Sequence, residues 1–207
     1  MCGIMGYIGT NGNATAVILD GLNKLEYRGY DSAGICTLQD DGLCIQKKKG
    51  RLADLTEAIG ELPVSSIGIG HTRWATHGVP SDTNAHPHCD CSGRIAVVHN
   101  GIIENYAALR KDLILEGHDF VSETDTEVVV HLLERYYNGS LETAVRRMLA
   151  DLQGSFALAI VCQDEPDKLV AVKKDSPLII GLGEGENYVA SDIPAILGRT
   201  NQVYIME

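Results

Sequence analysis

The chain opens with Cys2-Gly3-Ile4-Met5-Gly6-Tyr7-Ile8-Gly9, directly after Met1. Gly3 to Gly9 is a short apolar run bounded by glycine, the pattern of a buried strand. If Met1 is removed, Cys2 carries a thiol and a free α-amino group on one residue. An α-amino group titrates near pH 8, far below a lysine, so much of it is neutral near pH 7 and can accept a proton. A nucleophile and a base are then joined at the head of a strand, a known way of activating a side chain. Position alone also allows Cys2 to be an accident of the start site. The rest of the sequence must separate these readings.

The bulk composition narrows the classes. The sequence has 207 residues, 44% of them hydrophobic and 22% charged, which suffices for a full core. A net charge of −11 argues against nucleic acid as a partner, because phosphate binding needs clustered Lys and Arg. The one basic run, Lys47-Lys48-Lys49 with Arg51, reads as a solvated strand end. No stretch approaches the ~20 apolar residues of a membrane span. No basic segment followed by an apolar run marks a secretory signal. The expected location is therefore the cytoplasm, with the six cysteines mostly reduced. Cys36, Cys44 and Cys162 read as small core residues.

Apolar runs predict further strands over 33–38, 44–49, 67–71, 94–99, 156–162, 169–172 and 178–182. Helical spacing of Ile18, Leu22 and Leu25 predicts a helix after Asn13. A second is expected after Asn105. A third begins near Thr124-Asp125-Thr126-Glu127, where Thr124 and Glu127 fit a capping box. A fourth runs from Ser140 to about Leu152, with Gly154 as its terminator. Strands and helices come in groups, which favours layered sheets with helices outside over strict βαβ alternation.

Three loops are rich in chemistry. Glu26 to Gly34 holds Arg28 between two tyrosines; it reads either as a helix end capped by Gly29, with Arg28 in an ion pair, or as part of a site. His71-Thr72-Arg73-Trp74-Ala75-Thr76-His77-Gly78 follows a strand. There Arg73 offers a planar fork suited to a carboxylate, and Thr76 and His77 add donors. The alternative makes Trp74 a core anchor and Arg73 half of a surface ion pair. His99-Asn100-Gly101 fits a tight turn. It could also place a pair of donors, the Asn100 amide and the Gly101 N–H, at one oxyanion, a reading that needs a nucleophile before it displaces the turn. A fourth segment, His86-Pro87-His88-Cys89-Asp90-Cys91, suggests metal ligands. Cys89 and Cys91 are separated by one residue rather than two to four, so the cysteines read as incidental. No metal and no cofactor are expected.

Taken together, these residues resemble the glutaminase domains of class II glutamine amidotransferases. The wording of Tyr27-Arg28-Gly29-Tyr30-Asp31 and of Thr72 to Gly78 is closest to the sugar-phosphate branch, the glutamine–fructose-6-phosphate aminotransferases. Asn84 to His88, His99 to Asn105, Ser122 to Glu127 and Ala190-Ser191-Asp192 also match, so the resemblance covers essentially the whole chain. It implies an α+β N-terminal-nucleophile hydrolase fold: a four-layer αββα sandwich of two mainly antiparallel sheets between helical layers. It implies that residues 1–207 form one glutaminase domain, without the sugar-phosphate isomerase domain that follows it in the family. It also implies roles. Cys2 is the nucleophile, its own α-amino group the base and later the acid, and Asn100 and Gly101 the oxyanion hole. Arg73, helped by Thr76 and His77, holds the carboxylate of L-glutamine. Asp125 pairs with its ammonium, Trp74 rides a mobile closing loop, and Arg28 supports the Cys2 end. Fructose 6-phosphate enters only through the isomerase domain, and the full-length enzyme is expected to be a homo-oligomer, with no nucleic acid or membrane partner. The alternatives are another class II amidotransferase, or a silent glutamine-sensing module.

Overall fold

The computed structural model describes residues 2–61 and 64–206. Met1, whose removal would free the Cys2 amine, lies outside them. β1 (Gly3–Gly9) leads into α1 (Ala14–Lys24), then the hairpin of β2 (Ser32–Gln39) and β3 (Gly42–Lys49). α2 (Leu52–Ile59), β4 (Ile67–Arg73), the short β5 (His88–Cys89) and β6 (Ile95–Ile103) follow. Three helices come next, α3 (Tyr106–Leu115), α4 (Glu127–Tyr136) and α5 (Leu141–Asp151). β7 (Gly154–Cys162), β8 (Leu169–Lys174), β9 (Ile179–Leu182), β10 (Glu186–Ala190) and β11 (Gln202–Ile205) complete the chain.

The strands form a seven-stranded sheet, β11-β9-β10-β1-β4-β2-β3, and a four-stranded sheet, β5-β6-β7-β8. Their pairings are antiparallel. Side-chain alternation builds the layers. On β1, Met5 and Tyr7 join Ile18, Leu22 and Leu55 of the outer helices, while Ile4 turns inward to meet Ala96, Val98 and Ala157 of the second sheet. On β6, Ile95 and Val97 pack against Val129, Leu133 and Met148 of α4 and α5. Each sheet is thus covered on both faces, which is why its strands read as near-continuous apolar runs. This is the expected αββα sandwich. No helix among the described residues is long and apolar enough to cross a membrane.

Several local expectations need correction. Asn100-Gly101 is no turn: β6 runs through it to Ile103, with Asn100 opposite Ala157 and Gly101 opposite Phe156. Gly101 does need its glycine, at φ +122, because a Cβ there would press into Ser155 O, with Phe156 Cα 2.9 Å away. The Thr124–Glu127 capping box does not form. The Glu127 carboxylate instead accepts the N–H groups of Val121 at 2.7 Å and Ser122 at 2.8 Å, tying down the segment before α4. Asn13 stands at the N-cap of α1 without a side-chain cap bond. Ser140 does cap α5, accepting from Thr143 N at 3.3 Å. Gly154 opens β7 rather than ending α5, which stops at Asp151. Helix α2 was not expected, although Leu52, Leu55 and Ile59 recur at helical spacing and form its buried face; strands β5, β10 and β11 are short, of two, five and four residues.

Candidate active site

β1 and β4 lie side by side, with Gly3 opposite Thr72. That register carries Cys2, just ahead of β1, to the end of β4 where Arg73 and Trp74 leave the sheet. Gly3 permits the close approach, since a Cβ would sit 2.6 Å from Thr72 Oγ1. The Trp74 N–H donates to Cys2 Sγ at 3.2 Å, and the thiol faces Trp74 O at 3.5 Å. Burial pushes the Cys2 thiol up, partly opposed by the Trp74 N–H, so it needs a base to become a nucleophile. The Cys2 carbonyl accepts from Arg28 Nε and from Asn100 Nδ2, each at 3.0 Å. Arg28 is itself held by Asp192 at 2.9 Å. Arg28 thus makes the expected ion pair and also bonds the main chain of Cys2.

The loop after β4 is braced from two sides. Arg73 is buried, and its Nη2 donates to the carbonyls of His77 and Gly78, curling residues 73–78 around the guanidinium. Asp31 Oδ2 accepts the Ala75 N–H, and the Asp31 N–H donates to Arg73 O at 3.2 Å. Gly29 lets the 26–31 loop lie against β4, because a Cβ would come 2.6 Å from the Arg73 carbonyl carbon. No carboxylate pairs with Arg73 among the described residues, so the surface ion-pair reading falls away. Its Nη1 is buried with no hydrogen-bond partner among them. Buried donors are ordinarily satisfied, so an unmet one lining a cavity points to a ligand acceptor. Trp74 is 49% exposed with its ring 5.4 Å from that of Tyr30, and is no core anchor.

Behind Asn100 lies a cluster of buried histidines. His71 Nε2 is 3.0 Å from Asn100 Oδ1, and the His71 ring stacks on His86 at 4.3 Å. His99 Nδ1 is 2.8 Å from Thr126 Oγ1, and His88 Nε2 is 3.0 Å from Thr124 Oγ1. Burial pushes all four rings down, His71 and His88 to about 3, so they are neutral at pH 7. Asp125 is buried beside them, one carboxylate oxygen accepting the Ile103 N–H at 2.8 Å.

These elements enclose a cavity of about 370 Å³. Cys2, Arg28, Arg73, Trp74, Thr76, His77, Asn100, Gly101 and Asp125 line it. Every site residue expected from the sequence is therefore brought to one place. His86, His99, Thr126 and Ser176 line it too and were not expected. His86 and His99 stood in noticed segments, but only the pairing of β5 with β6, which sets the His99 N–H against His86 Nδ1 at 3.2 Å, shows that they share a wall. The cavity holds a thiol, an unpartnered guanidinium nitrogen, a carboxylate and side-chain amide donors. That set can bind a small zwitterion and attack a carbonyl. Among the described residues, its lining includes no cluster of metal ligands. The His86–Cys91 segment splits: His86 and His88 face Thr126 and Thr124, while Cys91 Sγ approaches His118 and His131.

Residues 71–198 match the family described as "Glutamine amidotransferase domain". Two curated relatives, both named glutamine–fructose-6-phosphate aminotransferase (isomerizing), align with the whole chain. The one from Caldanaerobacter subterraneus subsp. tengcongensis is 59% identical, and the one from Symbiobacterium thermophilum 60%. The chain spans 34% of the length of each. Among solved structures, a glutamine phosphoribosylpyrophosphate amidotransferase from B. subtilis, complexed with ADP and GMP, superposes with a TM-score of 0.83 and 28% identity. The superposition covers 96% of this chain and 44% of that one. A structure described as the allosteric regulatory enzyme of purine biosynthesis superposes over the whole chain and 44% of its own, with a TM-score of 0.84 and 28% identity.

Proposed function

The chain belongs to the glutamine amidotransferase domain family, and on that premise we propose that it hydrolyses L-glutamine to glutamate and ammonia through a thioester on Cys2. The convergence of Cys2, Arg73, Asn100 and Asp125 on one cavity carries this reading. Glutamine bears a carboxylate and an ammonium on one carbon. Arg73 Nη1, with Thr76 and His77, receives the carboxylate, and Asp125 receives the ammonium. Together they position the side-chain amide over Cys2 and reject peptides, which lack the free pair of charges.

The Cys2 sulfur attacks the amide carbon. The α-amino group of Cys2, freed by loss of Met1, takes the thiol proton and returns it to the departing ammonia. Asn100 Nδ2 and the Gly101 N–H hold the tetrahedral oxygen, a role in which one donor is typically worth ~10²–10³ in turnover. Asn100 Nδ2 now donates to the Cys2 carbonyl, which keeps it within reach of the reacting carbon. Water then cleaves the thioester. Arg28 anchors the Cys2 main chain, and Trp74 rides a loop that closes over the substrate. Residues 1–207 act as one glutaminase domain. The ammonia passes to fructose 6-phosphate, bound by sequence that the longer relatives have and these residues do not span. The assembly is homo-oligomeric and cytoplasmic, in keeping with six free cysteines.

The test is glutamate release by the purified chain, with its mass measured. Turnover of glutamine by chain lacking Met1, lost in Cys2→Ala, supports the proposal. Undiminished turnover by Cys2→Ala overturns it.

A further inference from the structure

Away from the cavity, three segments bring four metal-ligating side chains together. Cys91 lies in the turn between β5 and β6, His118 in the connection from α3 to α4, and His131 and Glu134 one turn apart on α4. Cys91 Sγ is 3.6 Å from His131 Nδ1 and 3.9 Å from His118 Nδ1. Glu134 Oε2 is 2.8 Å from His118 Nδ1 and 3.3 Å from His131 Nδ1. The four ligand atoms all lie within 4.8 Å of one another. Zinc bonds of about 2.0–2.3 Å in a tetrahedron separate neighbouring ligand atoms by roughly 3.3–3.7 Å, so the spacing is already close to that of a filled site.

We propose that Cys91, His118, His131 and Glu134 form a structural zinc site. The surroundings fit a metal better than a plain hydrogen-bond cluster. Both imidazoles present the same nitrogen, Nδ1, to a single point shared with the sulfur and the carboxylate. The Asp119 N–H donates to Cys91 Sγ at 3.4 Å, which suits a thiolate. The other nitrogen of His131 is buried without a hydrogen-bond partner, 3.8 Å from Glu127 Oε1. A carboxylate behind a ligating histidine is the usual orienting partner at zinc. A mixed thiolate, imidazole and carboxylate set favours zinc over magnesium or calcium, which prefer oxygen alone. Four protein ligands leave no open position, so the site is structural rather than catalytic. Binding Zn²⁺ displaces the Cys91 thiol proton and leaves both imidazoles neutral.

The ion would tie the β5–β6 turn and the α3–α4 connection to α4. That helix begins two residues after Asp125, so the site would brace the segment that delivers Asp125 to the cavity. It is independent of whether the cavity hydrolyses glutamine.

The chain should be produced with zinc in the medium, purified without chelators or a histidine tag, and analysed for metals. The expected result is about one zinc per chain, with X-ray absorption showing one sulfur near 2.3 Å and three lighter ligands near 2.0 Å. Cys91→Ala and His118→Ala, both away from the core, remove a direct ligand and should each weaken zinc binding by more than the roughly 10–100-fold typical of losing an outer-shell partner. Cys89→Ser should retain the metal. Added Zn²⁺ should raise the melting temperature of metal-stripped protein but not of Cys91→Ala. Wild-type protein without zinc, whose melting temperature ignores added Zn²⁺, overturns the assignment. So does zinc that Cys91→Ala retains in full.

Discussion

His71 Nε2 lies 3.0 Å from Asn100 Oδ1, and this contact sets which way the Asn100 amide faces. With its oxygen taken by His71, the amide nitrogen is turned to Cys2. His71 is fully buried and neutral, and its Nδ1 has no hydrogen-bond partner among the described residues. The single ring proton therefore belongs on Nε2, where it donates to Asn100. A buried histidine from β4 thus orients the donor on β6.

His71→Phe keeps a flat ring against His86 and removes that donor. Glutamine turnover should fall roughly 10-fold in kcat with little change in KM, against the ~10²–10³ expected for Asn100→Ala. Steady-state glutamate release measures both, and an unaltered kcat in His71→Phe would discard the orienting role.

Arg73→Lys replaces a planar fork by a point charge. It should raise KM for glutamine roughly 10-fold or more, the usual scale of a lost charge-assisted hydrogen bond. An analogue lacking the α-carboxylate should be insensitive to the change. Equal losses for glutamine and the analogue would show that Arg73 acts only by bracing its loop.

Gly101→Ala should destabilise the fold by about 3 kcal/mol, from positive φ and overlap with the β7 backbone together. Urea unfolding followed by circular dichroism measures it. A midpoint equal to wild type would mean that β6 can shift away from Ser155.

Stability should fall with acid well before carboxylates titrate. His71, His86 and His99 are held below their ordinary value of 6.5 in the folded state, chiefly by burial. The unfolded chain therefore binds more protons once the pH drops below 6.5, and stability declines from there down toward the folded values, about 3 for His71. For His71 the loss is roughly 1 kcal/mol per pH unit in that window, and His86 and His99 add to it in the same direction. Urea midpoints at pH 7.5 and 5.5 test this, and a midpoint no lower at pH 5.5 would refute it.

The strands at 3–9, 67–71 and 156–162 were legible because burial on both faces leaves an apolar run with few interruptions. The helices after Asn13, Asn105 and Ser140 were legible from apolar spacing. Asn100-Gly101 misled as a turn because the dipeptide reports a local preference. Here the positive φ of Gly101 is used inside a strand, to pass the Ser155 carbonyl. Asp31 was seen in its loop, but its hold on Ala75 depends on β2 lying beside β4.

Two kinds of information are separable in this chain. Residue types supplied the candidate parts: a thiol that loss of Met1 would place beside an amine, a guanidinium, a carboxylate and an amide, and the alternation that buries two sheets. Those follow from side-chain chemistry and periodicity, which are local. Tertiary structure alone settled that His86 and His99 share the cavity wall with Cys2, and that His71 aims Asn100. It also settled that Cys91 belongs with His118, His131 and Glu134 rather than with His86, His88 and Cys89. Those relations arise from strand register and from the packing of α4 on β6, where residues far apart in sequence become neighbours and spacing along the chain carries no signal.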